Sequence, residues 1–265
     1  MPVSARGTVY DLSGPAGAPV VVLIHGLGLT RGTTWAAFVP ALARHYRVLT
    51  YDLIGHGDTA PPRGPVTLSD LSNQIIALMD ELDIGRAALV GFSLGGMINR
   101  RCAMDHPDRV AALAILNSPH ERTPERQKMV EQQARDADAG GPAATIDAAL
   151  ARWFTREFAS QSPEIVARIR ETVLANDPGA YAALRLVLAE GVVELIRPVP
   201  PIAHPTLVMT CEDDSGSTPE MSQAIATEIH RAEMQIVGGL RHLGLIEQPQ
   251  TFLAPLLDFL QRNLS

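Results

Sequence analysis

A chain of 265 residues with a formal charge of −7 and 46% hydrophobic residues has the balance of an ordinary globular protein. The acidic balance argues against nucleic acid as a partner, because phosphate binding requires basic patches. No apolar run reaches the roughly eighteen residues that a membrane-spanning helix needs, so no membrane association is expected. The two cysteines, Cys102 and Cys211, match no metal-ligand spacing. We interpret them as reduced core residues, which favours the cytoplasm.

Short apolar runs rich in β-branched residues recur along the chain, and helical patterns lie between them. Continuous runs of this kind are typical of strands that are buried on both faces of a parallel sheet. The predicted strands are 19–24, 47–51, 87–92, 110–116, 206–211 and 233–237. Residues 68–82 and 251–264 carry apolar side chains at helical spacing. This alternation predicts an α/β protein whose mainly parallel central sheet is flanked by helices.

One segment interrupts the alternation. Between residues 123 and 197 the sequence contains three or four helical patterns and no convincing strand. We therefore predict that residues 1–122 and 198–265 form one core domain and that residues 123–197 form a helical lid over an active site. A small helical subdomain without a gating role is the alternative interpretation.

The segment Gly91-Phe92-Ser93-Leu94-Gly95 follows a predicted strand and opens a helical pattern. It matches G-x-S-x-G, the pattern of a nucleophile elbow. A sharp strand-to-helix turn brings the residues two before and two after the serine together, so a side chain at either glycine would crowd the turn. The serine is then held in a strained conformation with its hydroxyl exposed. The helix that follows favours negative charge at the reacting oxygen. We predict that Ser93 is a nucleophile.

A second glycine-containing turn, His25-Gly26-Leu27-Gly28, directly follows the first strong strand. An H-G turn at this place supplies one backbone N–H to an oxyanion hole, and the residue after the nucleophile supplies the other. These donors are predicted to be Leu27 and Leu94. His25 is expected to brace the loop by hydrogen bonding, and Asp52 is expected to tie the turn after the next strand.

The serine hydroxyl needs a base, and the base needs an acid that orients it. In proteins with this type of elbow the chain order is nucleophile, acid, histidine. We therefore look for the acid and the base after Ser93, on loops that follow strands. Three carboxylates follow the strand at 206–211, namely Glu212, Asp213 and Asp214. Asp214 is favoured because it lies furthest past the strand end, and Asp213 is the alternative. His242 follows the last predicted strand and a Gly-Gly turn, and it is the predicted base.

A substrate pocket is predicted between the carboxyl edge of the sheet and the lid. Candidate wall residues are the aromatic side chains Trp35, Phe92, Trp153 and Phe154, although core packing is an equal alternative for the two tryptophans. A mostly apolar wall would favour a hydrophobic or neutral acyl group. The sequence has no H-E-x-x-H, no cysteine pair at ligand spacing and no strand-linked G-x-G-x-x-G. No metal and no other cofactor is therefore expected.

Taken together, these landmarks resemble the α/β-hydrolase superfamily over nearly the whole chain. The matching segments are 25–28, 52–57, 91–96, 211–214 and 241–242. In the family the acid commonly falls in G-x-x-D; Cys211 replaces that glycine here, and the spacing still selects Asp214. Within the superfamily, residues 91–97 and the lid strings 152–155 and 176–181 are similar to 3-oxoadipate enol-lactonases and related esterases.

The resemblance implies a serine hydrolase that cleaves a carboxylic ester or lactone of a small molecule through an acyl-enzyme. The same triad serves C–C bond hydrolases, lyases, acyltransferases and perhydrolases, and a ligand-binding member without turnover is a further alternative. Haloalkane dehalogenases and epoxide hydrolases use an aspartate nucleophile and are excluded by Ser93. The turn at 25–28 differs from the Asn-Ser-Leu-Gly type of the enol-lactonases, which leaves the particular lactone open. Assembly into a homo-oligomer is also left open.

Overall fold

The computed structural model describes residues 1–136 and 141–264. Within these residues, seven strands form one sheet in the order β1-β3-β2-β4-β5-β6-β7. The strands are β1 (Tyr10–Ser13), β2 (Val20–Ile24), β3 (Arg47–Tyr51), β4 (Ala87–Phe92), β5 (Val110–Leu116), β6 (Thr206–Cys211) and β7 (Ala232–Val237). All six predicted strands are present, and the predicted α/β-hydrolase fold is confirmed.

The first strand was not predicted. β1 pairs antiparallel with β3 at the edge of the sheet, whereas the other neighbouring strands run parallel. All four of its residues are only half-buried, and two of them, Asp11 and Ser13, are polar. An edge strand of this kind needs no continuous apolar run, so it lacks the signal that marks the buried strands.

Helices cover both faces of the sheet. They are α1 (Arg31–Trp35), α2 (Val39–Leu42), α3 (Leu68–Glu81), α4 (Leu94–Asp105), α5 (Pro124–Asp136), α6 (Ile146–Trp153), α7 (Arg156–Gln161), α8 (Pro163–Leu174), α9 (Pro178–Glu190), α10 (Pro219–Glu228), α11 (Gly244–Glu247) and α12 (Pro249–Asn263). Along β2, Val21 and Leu23 join a core with α1, α2 and α12, whereas Val22 and Ile24 join a core with α3, α4 and α10. Because both faces of the sheet are buried, the parallel strands appear in the sequence as unbroken apolar runs.

The segment predicted as a lid contains helices α5 to α9 and, in its described part, no strand. Residues 137–140 of the predicted lid lie outside the described residues. None of the described helices has both the length and the apolar composition to cross a membrane.

The helical segment is bound to the loop between β7 and α11. The Leu243 N–H donates to the Trp153 carbonyl oxygen at 2.9 Å. The Arg241 guanidinium donates to the carbonyl oxygens of Ala151 at 2.7 Å and Phe154 at 3.0 Å. The junction of α6 and α7 therefore holds the chain on both sides of residue 242.

Candidate active site

The turn between β4 and α4 has the geometry of a nucleophile elbow. Ser93 connects the two elements with φ 55° and ψ −114°, a left-handed conformation that side chains rarely adopt. A Cβ atom on Gly91 would overlap the carbonyl oxygen of Gly95, and a Cβ atom on Gly95 would overlap that of Ile24. Only glycine fits at both positions, and the turn presents the serine hydroxyl at the carboxyl edge of the sheet.

Ser93 is hydrogen-bonded to the histidine that the sequence predicted as its base. The His242 Nε2 lies 3.1 Å from the Ser93 Oγ, and the His242 Nδ1 lies 2.6 Å from the Asp214 Oδ2. The imidazole packs against Phe92, with ring centroids 5.0 Å apart. When Nδ1 carries the proton and donates it to Asp214, Nε2 is free to accept the serine proton.

The carboxylate of Asp214 is buried and accepts four hydrogen bonds. Its Oδ2 accepts from His242 and from the Asn117 side-chain amide at 3.0 Å, and its Oδ1 accepts from the N–H groups of Gly216 and Ser217. Burial by itself would raise the pKa of Asp214, but the interactions with His242 and with the other donors outweigh it and lower the pKa. The ionised carboxylate is therefore the favoured form. Asp213, the alternative acid, is exposed to solvent.

Asn117 is a site residue that sequence reasoning missed. It directly follows β5, is fully buried, and has a positive φ of 47°, which asparagine tolerates better than most residues. Its N–H donates to the Met209 carbonyl oxygen at 2.8 Å, which holds the residue against β6. The strand order offers a signal for this residue. Because β5 lies beside β6, a polar residue just past the end of β5 must lie beside Asp214, which follows β6.

Replacing Asn117 by glycine is expected to lower kcat by on the order of tenfold, because the Asp214 carboxylate loses one charge-assisted hydrogen bond. Glycine tolerates the positive φ, so backbone strain does not confuse the result. The measurement is kcat for p-nitrophenyl acetate together with the melting temperature. Asn99→Ala is the matched control, because among the described residues the side chain of this buried asparagine bonds the carbonyls of Leu89 and Ala114 and no group of the site. Equal loss of kcat in both variants would contradict a positioning role for Asn117.

The turn at residues 25–28, which we call the oxyanion turn after its predicted role, lies directly against the elbow. A Cβ atom on Gly26 would come within 3.2 Å of the Ser93 Cβ. Leu27 follows this glycine, and Leu94 is the first residue of α4. Within residues 1–136 and 141–264, neither of these two backbone N–H groups has a hydrogen-bond acceptor. They are therefore available to an oxyanion beside Ser93.

Two buried histidines brace the oxyanion turn. The His25 Nε2 accepts the N–H of Leu53 at 3.0 Å, and its Nδ1 donates to the Gly26 carbonyl oxygen at 2.8 Å. The His56 Nε2 accepts the N–H of Gly28 at 2.9 Å. Burial lowers the pKa of His25 to about 4 and, with the neighbouring His25, lowers that of His56 to about 3. Both rings are neutral near pH 7, and the neutral form is the one that can accept from a backbone N–H.

These histidines make the stability of the fold depend on pH. In the unfolded chain His56 takes up a proton as the pH falls through about 6.5, whereas in the fold it does so only near pH 3. The stabilisation that neutral His56 contributes to the free energy of unfolding is therefore present above pH 6.5 and is lost as the pH falls below this value. We expect the free energy of unfolding to fall between pH 6.5 and pH 5.0, with a slope that His56→Gln reduces by up to about 1.4 kcal/mol per pH unit, a limit reached at the acidic end of this range. Urea titrations at several pH values measure this slope, and an identical slope in both proteins would contradict the assignment.

The cavity above Ser93 has a volume of about 220 Å³. Phe92 and Trp153 line it, as predicted from the sequence. Trp35 and Phe154 do not, and for these two the prediction is wrong. Trp35 is fully buried and packs edge-to-face against Phe38, with centroids 5.3 Å apart. Phe154 stacks on Phe158 at 5.4 Å, within the same core.

The wall of the cavity is mostly apolar, but it also carries positive charge. Its lining includes three arginines from residues 122–185, namely Arg122, Arg152 and Arg185. The expectation of a neutral or hydrophobic acyl group rested on a mostly apolar wall, and it stays a prediction.

Comparison with known proteins places this geometry in a family. A model of the alpha/beta hydrolase family matches residues 21–255. The crystal structure of the enol-lactonase from Burkholderia xenovorans LB400 covers 98% of both chains with a TM-score of 0.87 and 32% identity. A thermophilic esterase from Thermogutta terrifontis covers 99% of this chain and 97% of its own, with a TM-score of 0.86 and 25% identity.

Among curated sequences, the 3-oxoadipate enol-lactonase 2 of Acinetobacter baylyi is 30% identical over 249 residues, which cover 92% of this chain and 89% of the relative. The chain belongs to the alpha/beta hydrolase family and is a hydrolytic enzyme.

Proposed function

We propose that the chain is a serine hydrolase that cleaves a carboxylic ester or lactone of a small molecule through an acyl-enzyme. Ser93 is the nucleophile, His242 the base and Asp214 the acid that orients it. The observation that carries this proposal is the continuous hydrogen-bond chain from Asp214 through His242 to Ser93 at a cavity. The names of the relatives, an enol-lactonase and an esterase, support the type of bond.

In the first half-reaction the Ser93 Oγ attacks the carbonyl carbon while the His242 Nε2 takes its proton. The carbonyl oxygen becomes an oxyanion, and the N–H groups of Leu27 and Leu94 stabilise it. Asp214 stabilises the imidazolium that forms. The tetrahedral intermediate then collapses. The ester bond breaks, and the leaving alkoxide takes the proton from His242.

In the second half-reaction water replaces the alcohol. His242 removes a proton from a water molecule as its oxygen attacks the acyl carbon, and the oxyanion forms again at the same two N–H groups. Collapse breaks the bond to Ser93, whose Oγ recovers the proton from His242, and a carboxylic acid is released. For a lactone, the alcohol and the acid remain parts of one molecule.

We further propose that residues 123–197 act as the lid of this site, since Trp153 and Arg185 from this segment line the cavity. A closed lid limits access of bulk water to the acyl-enzyme. A cytoplasmic location is supported by Cys102 and Cys211, which are both buried free thiols.

The test is a reaction with p-nitrophenyl acetate in water labelled with oxygen-18. Rapid acid quenching followed by peptide mass spectrometry is expected to find one acetyl group on Ser93. The released acetate is expected to carry one labelled oxygen, which an acyltransferase or a lyase would not produce. An acetyl group on another residue, or acetate without label, would overturn the proposal.

A further inference from the structure

Asn176 joins the helical segment to the oxyanion turn. It lies between α8 and α9 and is 7% exposed. Its side-chain nitrogen donates to the carbonyl oxygens of Thr172 and Val173 at 3.0 and 2.9 Å. The same nitrogen donates to the carbonyl oxygen of Gly28, 148 residues away, at 2.9 Å. All three neighbours are acceptors, so the donor end of the amide must face them. The first two bonds complete the end of α8, whereas the third joins the segment to another part of the fold.

The acceptor of that third bond belongs to a tight turn. The Leu29 N–H donates to the Gly26 carbonyl oxygen at 3.2 Å, which closes a β-turn over residues 26–29. Gly28, at the third position of this β-turn, has φ 77°, the left-handed conformation that a type II turn requires there. Its N–H donates to the His56 Nε2 at 2.9 Å. Both peptide groups of Gly28 are therefore bonded, one to the loop after β3 and the other to the helical segment.

These bonds form a continuous series that ends at a predicted oxyanion donor. Asn176 bonds the carbonyl oxygen of the peptide group that joins Gly28 to Leu29. The N–H of that peptide group bonds the Gly26 carbonyl oxygen. The Gly26 carbonyl in turn belongs to the peptide group whose N–H is that of Leu27. Every donor in the series points the same way, and peptide groups linked in this manner polarise one another, by roughly 10–30% per bond.

The other predicted donor has no such connection. Leu94 is the first residue of α4, and the elbow and this helix orient its N–H. Within the described residues, the hydrogen bonds of Asn176 reach neither Leu94 nor the proposed triad. A change at Asn176 therefore acts on one oxyanion donor and leaves the acid and the base as they are. Asn117 differs in this respect, because it acts through Asp214.

We infer that Asn176 is a positioning residue of the oxyanion hole, which holds and polarises the Leu27 N–H through the β-turn at residues 26–29. The inference rests on the proposed function, because it assumes that the oxyanion forms beside Ser93. The helical segment then does more than cover the cavity, since one of the two oxyanion donors depends on a side chain that this segment supplies. Removing such a donor outright costs on the order of a hundredfold or more in rate, and weakening it should cost less.

The kinetic experiment replaces Asn176 by alanine. We expect kcat for p-nitrophenyl acetate to fall by about tenfold and KM to change by less than about threefold, because the lost hydrogen bond matters most when the carbonyl oxygen carries charge. The adduct of 1,1,1-trifluoro-2-butanone with a serine is an oxyanion, so the Ki of this ketone should also rise by about tenfold. The midpoint of the acidic limb of kcat against pH should stay at its wild-type position, because the acid and the base are untouched.

Asn99→Ala is again the matched control, because that asparagine is also buried and donates to two carbonyl oxygens. We expect it to lower the melting temperature and to change the Ki by less than about twofold. Asn176→Ser is a milder second variant: its hydroxyl keeps a bond to the Thr172 carbonyl oxygen, four residues back, and the bond to Gly28 is lost. Both Asn176 variants should show the rise in Ki. A folded Asn176→Ser with wild-type kcat and Ki, or an equal rise of Ki in Asn99→Ala, would overturn the inference.

A spectroscopic experiment needs no turnover. In protein labelled with nitrogen-15 at leucine, the Leu29 amide proton is expected to shift upfield in Asn176→Ala and to exchange with solvent at least about threefold faster, because its bond to Gly26 weakens. The Leu94 amide is the internal reference and should not move. An unchanged Leu29 signal would overturn the inference and leave the serine mechanism standing. A shifted Leu29 signal together with full activity of Ser93→Ala would instead support the link between Asn176 and the turn and overturn the proposed function.

Discussion

Ser93→Ala is expected to lower kcat for p-nitrophenyl acetate by at least about a thousandfold, because the variant has no group that can form the acyl-enzyme. The residual rate then reflects only the oxyanion donors and substrate binding. The hydroxyl of Ser93 is 3.1 Å from the His242 Nε2 and makes no contribution to the core, so the fold should persist. Alanine at this positive φ costs no more than the serine it replaces.

The matched control for this variant is Ser222→Ala. Ser222 is a buried serine of α10, and its hydroxyl has no hydrogen-bond partner in the described part of the chain. We expect its kcat to stay within about threefold of the wild type, because Ser222 does not line the cavity and its hydroxyl supports no group of the site. Initial rates with circular dichroism of each variant make the comparison. If a folded Ser93→Ala keeps the wild-type rate, Ser93 is not the nucleophile.

Asp214→Asn is expected to lower kcat by about ten-thousandfold, while the neighbouring Asp213→Asn changes it by less than about threefold. The asparagine keeps the shape of the side chain, but it can present an N–H to the His242 Nδ1. That contact favours the tautomer whose Nε2 carries the proton, and this tautomer cannot accept the proton of Ser93. Asp213 is exposed, so its change leaves this contact intact.

The same pair of variants decides between the two acids that chain position alone left open. The measurement is kcat for p-nitrophenyl acetate near pH 7, with the melting temperature as a check on folding. A large loss in Asp213→Asn with an active Asp214→Asn would reverse the assignment. Similar small losses in both would mean that neither carboxylate orients the base.

Local sequence patterns were enough to predict most strands and the candidate site residues Ser93, Asp214 and His242, and there is a physical reason for this. Strands buried on both faces leave unbroken apolar runs, and the elbow leaves Gly91 and Gly95 because a Cβ atom at either would collide with backbone. Asp214 and His242 were found because loops at the carboxyl ends of parallel strands meet at one edge of the sheet. Their partnership with Ser93 in catalysis remains a proposal.

What could not be predicted depends on tertiary neighbours. Nothing local distinguishes Trp35, which packs against Phe38 in the core, from Trp153, which lines the cavity. Asn117 could be recognised only after β5 was known to lie beside β6. Arg152 of α6 and Arg185 of α9 look in the sequence like ordinary surface residues of amphipathic helices, and their place at the cavity becomes known only when these helices are positioned over Ser93.

The hydrogen bonds that join residues 151–154 to residues 241–243 have a consequence for the evolution and the engineering of this enzyme. The residues on both sides of His242 are held by main-chain oxygens of the helical segment, at Ala151, Trp153 and Phe154. These two stretches should open and exchange their amide hydrogens as one cooperative unit. A helical segment transplanted from a relative therefore has to reproduce this seam as well as a new cavity shape. A change of the helical segment therefore affects the substrate range and the position of the His242 imidazole together.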